Sequence, residues 1–420
     1  MSLTGIFETL SRYKRGRALQ WFLIVVALVG CHRLRHLQSH DVEAFDFANV
    51  FLGQRMLARG INPYDDSAIK SQWKDIVKAY GLHSKYEPGS PDMPLLYPPW
   101  ALSMLLWLNG VPYPRACTLW YFLSALFFAG GVYLICKGKD PPTNFRDIIV
   151  VAAFLVAVNF TINVYLIGQP AFCAFLGLCG AFYFSTGKKP VVAGLFLFVA
   201  SMKITLALPL IVFFLIKRNY KTLLTLAVCL TMAMGVFMFL EAQAVACVRD
   251  YISSLQKLRA DLFLVSPSGP YLGVLHSMTE PRSFLALYLK GGVLKAAALL
   301  FPVATACTLV AGAVKKRFAD VEILLLLCLV LFTSTYVRCG DLAFFLALSF
   351  MYCCRRSEKT LLAFCAIISP FFFPVNSLLL SLHVGSLNPL YFSQPMVMAV
   401  LTFFFNWVLI KKSFGPPARV

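Results

Sequence analysis

The chain is a succession of apolar runs, most of them near 20 residues long, and this feature decides the class of fold. The runs cover approximately residues 18–37, 94–110, 115–136, 147–166, 168–186, 190–216, 221–242, 291–314, 320–338, 341–354, 359–376 and 393–410. A helix of about 20 residues matches a hydrocarbon core ~30 Å thick. In lipid it also satisfies its own backbone groups. The short alternating segments of a membrane β-barrel are not seen. Hydrophobic residues make up 59% of the chain and charged residues 14%, whereas soluble domains run near one half and one quarter. The expectation is an all-α polytopic membrane protein with about 12 transmembrane helices.

The formal net charge is +19. Nucleic-acid binding is not the reading, because Lys and Arg fall in short patches between apolar runs, as the positive-inside rule predicts. These patches lie at 12–17, 137–146, 187–189, 217–221, 315–317, 355–359 and 411–412. If all of them share the cytosolic side, one of the runs between 18 and 136 must be re-entrant or interfacial. The 190–216 run must then be a short hairpin with Lys203 near its tip. The other scheme has twelve plain crossings, with 137–146 and 187–189 outside. Both schemes leave 38–93, 243–290, 338–341 and 377–392 on the non-cytosolic side and place both termini in the cytosol. Arg12, Lys14, Arg15 and Arg17 precede the first run, and no small-residue cleavage site follows it, so it reads as an uncleaved span.

Most of the 13 cysteines sit inside apolar runs, where Cys acts as a small hydrophobe. They show no metal-type spacing, and the six histidines show none with acids. There is no phosphate-cradling glycine loop and no nucleophile elbow. No linker divides the chain, which reads as one integral membrane domain over 1–420. Its catalytic part would span 18–345, with outer loops 38–93 and 243–290, followed by C-terminal transmembrane helices at 346–420.

The first outer loop holds eight of the nineteen acidic residues. Residues 42–59 predict an amphipathic helix with Phe45, Ala48, Leu52 and Met56 at helical spacing, ended by Gly60 and Asn62-Pro63. Asp46, Asn49, Val50 and Gly53 share one face. A second helix, at 66–80, carries Ile69, Trp73, Ile76 and Tyr80. Such helices tend to lie on the membrane surface. Asp46 sits between Phe45 and Phe47 at the bilayer boundary, where a carboxylate tends to be shifted upward and suits a general base. An ordinary interfacial acid would look the same.

Lys203 lies at the centre of an apolar run, where a charge costs at least ~2.5 kcal/mol and calls for a partner. That partner is either an acid on a neighbouring helix or an anionic phosphate. Arg338, in Ser334-Thr335-Tyr336-Val337-Arg338-Cys339-Gly340-Asp341, clamps a phosphate or pairs with Asp341. Tyr97-Pro98-Pro99-Trp100 opens a span. Gly168-Gln169-Pro170 is a polar break suited to hydrogen-bonding a sugar or a helix end. The 243–290 segment carries Arg259 and His276 among other polar residues, and a functional anion or lipid head groups would account for its cations.

Taken in order, these pieces resemble the glycosyltransferases of GT-C family 87, which includes polyprenol-phosphate-mannose-dependent mannosyltransferases. The resemblance rests on Asp46-Phe47, then Gly60-Ile61-Asn62-Pro63-Tyr64, Tyr97-Pro98-Pro99, Pro112 to Trp120, Gly168-Gln169, Ala193-Gly194 through Lys203 to Lys217-Arg218, and Ser334 to Asp341. It covers about 40–345. The family's Ser-Pro stands here as Ser334-Thr335. The resemblance implies a GT-C-type bundle and a metal-independent, inverting transfer without a cofactor. A hexose, mannose first, would pass from a polyprenyl-phosphate donor to a lipid or glycan acceptor. Asp46 would be the base, and Lys203, Arg338 and Arg259 would hold the donor phosphate. Asn49, Tyr64, Tyr97, Gln169, His276 and Asp341 would contact substrate. The implied setting is a bacterial inner membrane with the site on its outer face and membrane lipids around it. Two other classes share these residues: a flippase for a lipid-linked anion, which needs no base at Asp46, and a membrane glycan polymerase or ligase.

Overall fold

A computed structural model of the chain describes residues 45–80, 95–137, 145–241, 243–264, 291–314, 318–332, 342–372 and 394–414. The first apolar run, the 377–392 loop, Arg338, Asp341 and His276 lie outside these residues, as does the side chain of Arg259. Every regular element among the described residues is helical. The first outer loop contributes α1 (Phe45–Leu57) and α2 (Asp66–Tyr80). There follow α3 (Pro99–Met104), α4 (Tyr113–Lys137), α5 (Phe145–Ala157), α6 (Asn159–Leu166), α7 (Ala171–Thr186), α8 (Pro190–Ala200), α9 (Ile204–Ile216) and α10 (Tyr220–Leu240). The remainder is α11 (Ala244–Leu264), α12 (Gly291–Val314), α13 (Asp320–Phe332), α14 (Ala343–Arg356), α15 (Glu358–Phe372) and α16 (Gln394–Phe414). By length and composition, Tyr113–Lys137, Pro190–Ile216 and Tyr220–Leu240 suffice to cross a membrane. This fits an all-helical membrane protein, while a count of twelve crossings is not reached among the described residues.

Two of the apolar runs are not simple crossings. The 94–110 run, expected to open a span at Tyr97-Pro98-Pro99, forms only the six-residue α3 and a 3-10 turn at Leu106–Leu108. Six helical residues rise only ~9 Å, too little to cross. The 190–216 run is long enough by composition, yet it folds back on itself. α8 leaves the end of α7, and a 3-10 turn at Ser201–Lys203 follows, with Lys203 at φ −121°, ψ 85°. α9 then returns. The Thr222 hydroxyl, just past α9, donates to the Pro190 carbonyl at the start of α8 (3.0 Å). The ring of Phe213 meets that of Phe182 near the end of α7, with centroids 6.2 Å apart. A straight 27-residue helix would hold its two ends ~40 Å apart, so the pair is a re-entrant hairpin with Lys203 at its tip. A same-side arrangement of the basic patches needs both of these departures.

Glycine on α7 admits the close approach of α8, the first arm of the hairpin. A Cβ on Gly177 would stand 2.5 Å from the Ala200 amide nitrogen and 2.7 Å from the Phe196 carbonyl oxygen. These are backbone atoms that cannot swing aside. Gly177→Val is expected to destabilise the protein by about 1–3 kcal/mol or more, as overpacking does. Gly187→Ala, whose Cβ would find nothing nearer than 3.7 Å, is expected to melt like the parent. Equal melting temperatures for the Gly177 variant and the parent in detergent would contradict this packing.

Two large apolar cores and one small cluster at Val164, Ala171 and Phe172 result among the described residues. The larger gathers residues of α4, α5, α7, α8, α9 and α13 to α16, among them Phe154, Phe175, Phe350 and Phe405. The other core surrounds α1 and takes in Trp73, Tyr113, Trp120, Cys173, Met202, Phe237 and Tyr251. The hairpin tip therefore reaches the core that holds α1. The indole nitrogen of Trp100 donates to the Ser201 carbonyl (3.1 Å), tying α3 to the same tip. α10 runs from the return turn to the α1 end, where its Leu240 carbonyl faces Gly60.

Candidate active site

The expected amphipathic surface helix is corrected by the position of α1. Phe47, Ala48, Val50, Phe51, Leu52, Met56 and Leu57 are all inaccessible, and so is Gln54. Asn49 is 4% exposed. The helical spacing of Phe45, Ala48, Leu52 and Met56 gives one apolar side, but packing also covers the side that carries Asn49 and Val50. α2 keeps the one-sided pattern, burying Ile69, Trp73 and Ile76, while Tyr80 points outward. Asp65 caps α2. Its Oδ1 accepts from the Ser67 hydroxyl (2.6 Å) and from the Ser67 and Ala68 amides, and the Ser67 hydroxyl above all holds the carboxyl below its ordinary range.

Asp46 occupies the first turn of α1, where the helix dipole favours an anion. The start of this helix is seated on the chain reversal between α6 and α7. The Asp46 and Phe47 amides both donate to the Ile167 carbonyl, at 3.0 and 3.4 Å. The Gln169 side-chain amide donates to Asp46 Oδ2 at 2.8 Å. Gly168 adopts φ +69°, a conformation open to glycine, and this lets the chain turn sharply there. The reversal is pinned from behind by α4: the Trp120 indole donates to the Gly168 carbonyl (2.8 Å) and the Tyr121 hydroxyl to the Leu166 carbonyl (2.6 Å). Trp120 also stacks on Phe47, with centroids 5.2 Å apart and planes at 20°. Asp46 itself is partly exposed, whereas Gln169 is 5% exposed. The Gln169 Oε1 is buried without a hydrogen bond among the described residues. Such a group in a native fold calls for a water or a ligand hydroxyl.

A second polar set lies on the same core. The Tyr64 hydroxyl donates to the Tyr97 carbonyl (2.8 Å), and its ring lies 5.3 Å from that of Tyr251. Burial pushes the Tyr64 phenol well up, and that of Tyr251 to about 12. Both phenols are thereby held in the neutral form. Asn62 donates to Asp250 (2.8 Å) and accepts from the Tyr64 amide, which clips the first outer loop to α11.

Of the expected site residues, the structure thus joins Asp46 to Gln169 and Tyr64 to Tyr97. It buries Asn49 on the same helix, and it sets Lys203 at a hairpin tip whose neighbour Met202 belongs to the α1 core. Sequence reasoning missed the parts played by Tyr113, Tyr121 and Asp250. Tyr113 edges against Phe51 and Trp73, with centroids 5.3 and 5.4 Å away. Aromatic residues at the start of an apolar run look like interface anchors, and nothing local separates the two roles.

A family model for glycosyltransferase family 87 matches residues 95–337, more than half of the chain. The match takes in the Gly168-Gln169 reversal and the hairpin, and it begins downstream of α1 and Asp46. No curated protein and no solved structure matches this chain.

Proposed function

The chain belongs to glycosyltransferase family 87, and from that premise we propose that it transfers a hexose, mannose first among the candidates, from a polyprenyl-phosphate donor to a lipid or glycan acceptor at the non-cytosolic face of a membrane. The observation that supports this most is the seating of a partly exposed carboxylate, Asp46, on the Gln169 amide of the matched segment. A donor hydrogen bond favours the ionised carboxylate, which is the form a general base needs.

In this proposal Asp46 takes the proton of an acceptor hydroxyl. The oxygen attacks the anomeric carbon from the face opposite the phosphate. The bond from that carbon to the phosphate oxygen breaks, and polyprenyl phosphate departs with the electron pair, so the configuration inverts. Gln169 keeps the carboxylate aimed, and its second polar atom is available to a sugar or acceptor hydroxyl. Lys203 neutralises the developing phosphate charge, a role that Arg338 and Arg259 are proposed to share. The hairpin suits such a donor, because it carries a cation to the interior end of two short helices beside apolar walls.

Membranes containing the full chain should move labelled hexose from hexosyl-phosphoryl-polyprenol to an acceptor. Transfer from a nucleotide sugar alone would overturn the donor class. Lys203→Met is expected to weaken donor binding about ten- to hundred-fold, the worth of a charged hydrogen bond. Donor affinity equal to that of the parent would return Lys203 to a purely structural part.

A further inference from the structure

The end of the bundle away from Asp46 carries two matched turns. Between α7 and α8 the Lys189 amide bonds the Phe184 carbonyl (2.9 Å) and the Lys188 amide the Ser185 carbonyl (3.3 Å). Between α9 and α10 the Asn219 amide bonds the Phe214 carbonyl (2.9 Å) and the Arg218 amide the Leu215 carbonyl (3.0 Å). Both are Schellman turns, which place one residue in the left-handed region and normally assign glycine to it. α1 follows that rule with Gly60 at φ +67°. The two turns at this end do not, since Lys188 stands at φ 56° and Arg218 at φ 53°. Gly187 lies one residue short of the left-handed position, so a glycine is at hand and a lysine is used. A conformation that L side chains rarely adopt, filled twice by a cation in matching places, points to a role for the cations themselves.

The turns are neighbours. Ser185 and Thr186 of the first line an open cavity of about 350 Å³ together with Lys217, Arg218 and Asn219 of the second. Asp320 also lines the cavity, and its carboxylate is paired with Lys217. Lys188, Lys189, Arg218 and Lys221 are exposed, and among the described residues no carboxylate pairs with them. Large apolar side chains stand outward beside the cations: Leu215 is 51% exposed, Tyr220 63% and Leu224 66%. The Ser185 and Thr186 hydroxyls donate to carbonyls of their own helix, so the cations carry the match: cations over an apolar flank suit a phosphodiester head group with its acyl chains alongside.

We propose that these paired turns are a docking surface for the head groups of anionic phospholipids, with Lys188 and Arg218 as its principal cations. The proposal is independent of the catalytic reading. It is tested on the full chain in neutral detergent by following the melting temperature against phosphatidylglycerol, phosphatidylcholine and inorganic phosphate. Phosphatidylglycerol should raise the melting temperature of the parent by several degrees, and the other two should not. The double variant K188G/R218G should melt at or above the parent without lipid, because glycine suits both backbones. It should bind phosphatidylglycerol roughly tenfold or more weakly, as expected for two lost interfacial cations. K188Q/R218Q should lose the lipid response as well. A phosphatidylglycerol shift undiminished in both variants would overturn the proposal. So would an equal shift with inorganic phosphate, which marks a free-anion site, or with phosphatidylcholine, which marks acyl contact alone.

Discussion

Asp46→Asn is expected to abolish sugar transfer and to leave donor binding in place. Asparagine has nearly the shape of aspartate, and its carbonyl oxygen can still accept the hydrogen bond that Gln169 gives. The anchors of the helix start to Ile167 are backbone bonds and do not depend on the side chain. What the variant lacks is a group able to take a proton. General-base catalysis is typically worth about 10²–10⁴ in rate, so turnover should fall by at least about a hundredfold while the donor dissociation constant stays within about threefold, about 0.6 kcal/mol. Single-turnover transfer and a donor titration on the same preparation separate the two quantities. Turnover close to that of the parent would remove Asp46 as the base, whatever the family membership says of the rest of the chain.

Trp120→Ala should be the most damaging of the substitutions considered to the fold around the site. Trp120 is 1% exposed, stacks on Phe47 and donates to the Gly168 carbonyl. Truncating a buried tryptophan costs about 3–5 kcal/mol, and the cost here falls on the contact that seats α1. Trp120→Phe separates packing from positioning. It keeps an aromatic ring against Phe47 and removes the N–H, leaving the buried Gly168 carbonyl short of a donor at a cost of about 1–3 kcal/mol. The Phe variant should therefore lose modest thermal stability but a larger share of turnover, because the reversal that aims Gln169 at Asp46 is loosened. An alanine variant that melts with the parent would show that α1 is not held by this contact.

The sequence made the Gly60-Asn62-Pro63-Tyr64 stop legible, because a glycine free to adopt positive φ and a proline that cannot continue a helix act within a few residues. The second loop helix at Asp66–Tyr80 was legible from apolar residues recurring on one side, and the structure adds Asp65 as its cap. The seating of α1 was not. The face of Asp46, Asn49, Val50 and Gly53 reads as the outer one of a surface helix, yet Asn49 and Val50 are buried by partners far off in the chain. The pairing of Asp46 with Gln169 joins residues 123 positions apart. A polar break after an apolar run shows that some polar group is needed there, but not which one arrives.

The sequence by itself therefore determined that this chain is a helical membrane protein, where the first outer loop turns at Gly60 to Tyr64, and which acid and which lysine in an apolar run call for an explanation. These follow from local causes: apolar length, backbone groups that lipid cannot satisfy, and the dihedral limits of glycine and proline. Only the tertiary structure decided that 190–216 turns back at Lys203, that 94–110 stops short, and that Asp46 rests on the Gly168-Gln169 reversal behind Trp120. Apolar length is the same for a crossing and for a hairpin. What separates them is where contacts distant in the chain bring the two ends, and here the Thr222 hydroxyl just past α9 bonds the Pro190 carbonyl at the start of α8.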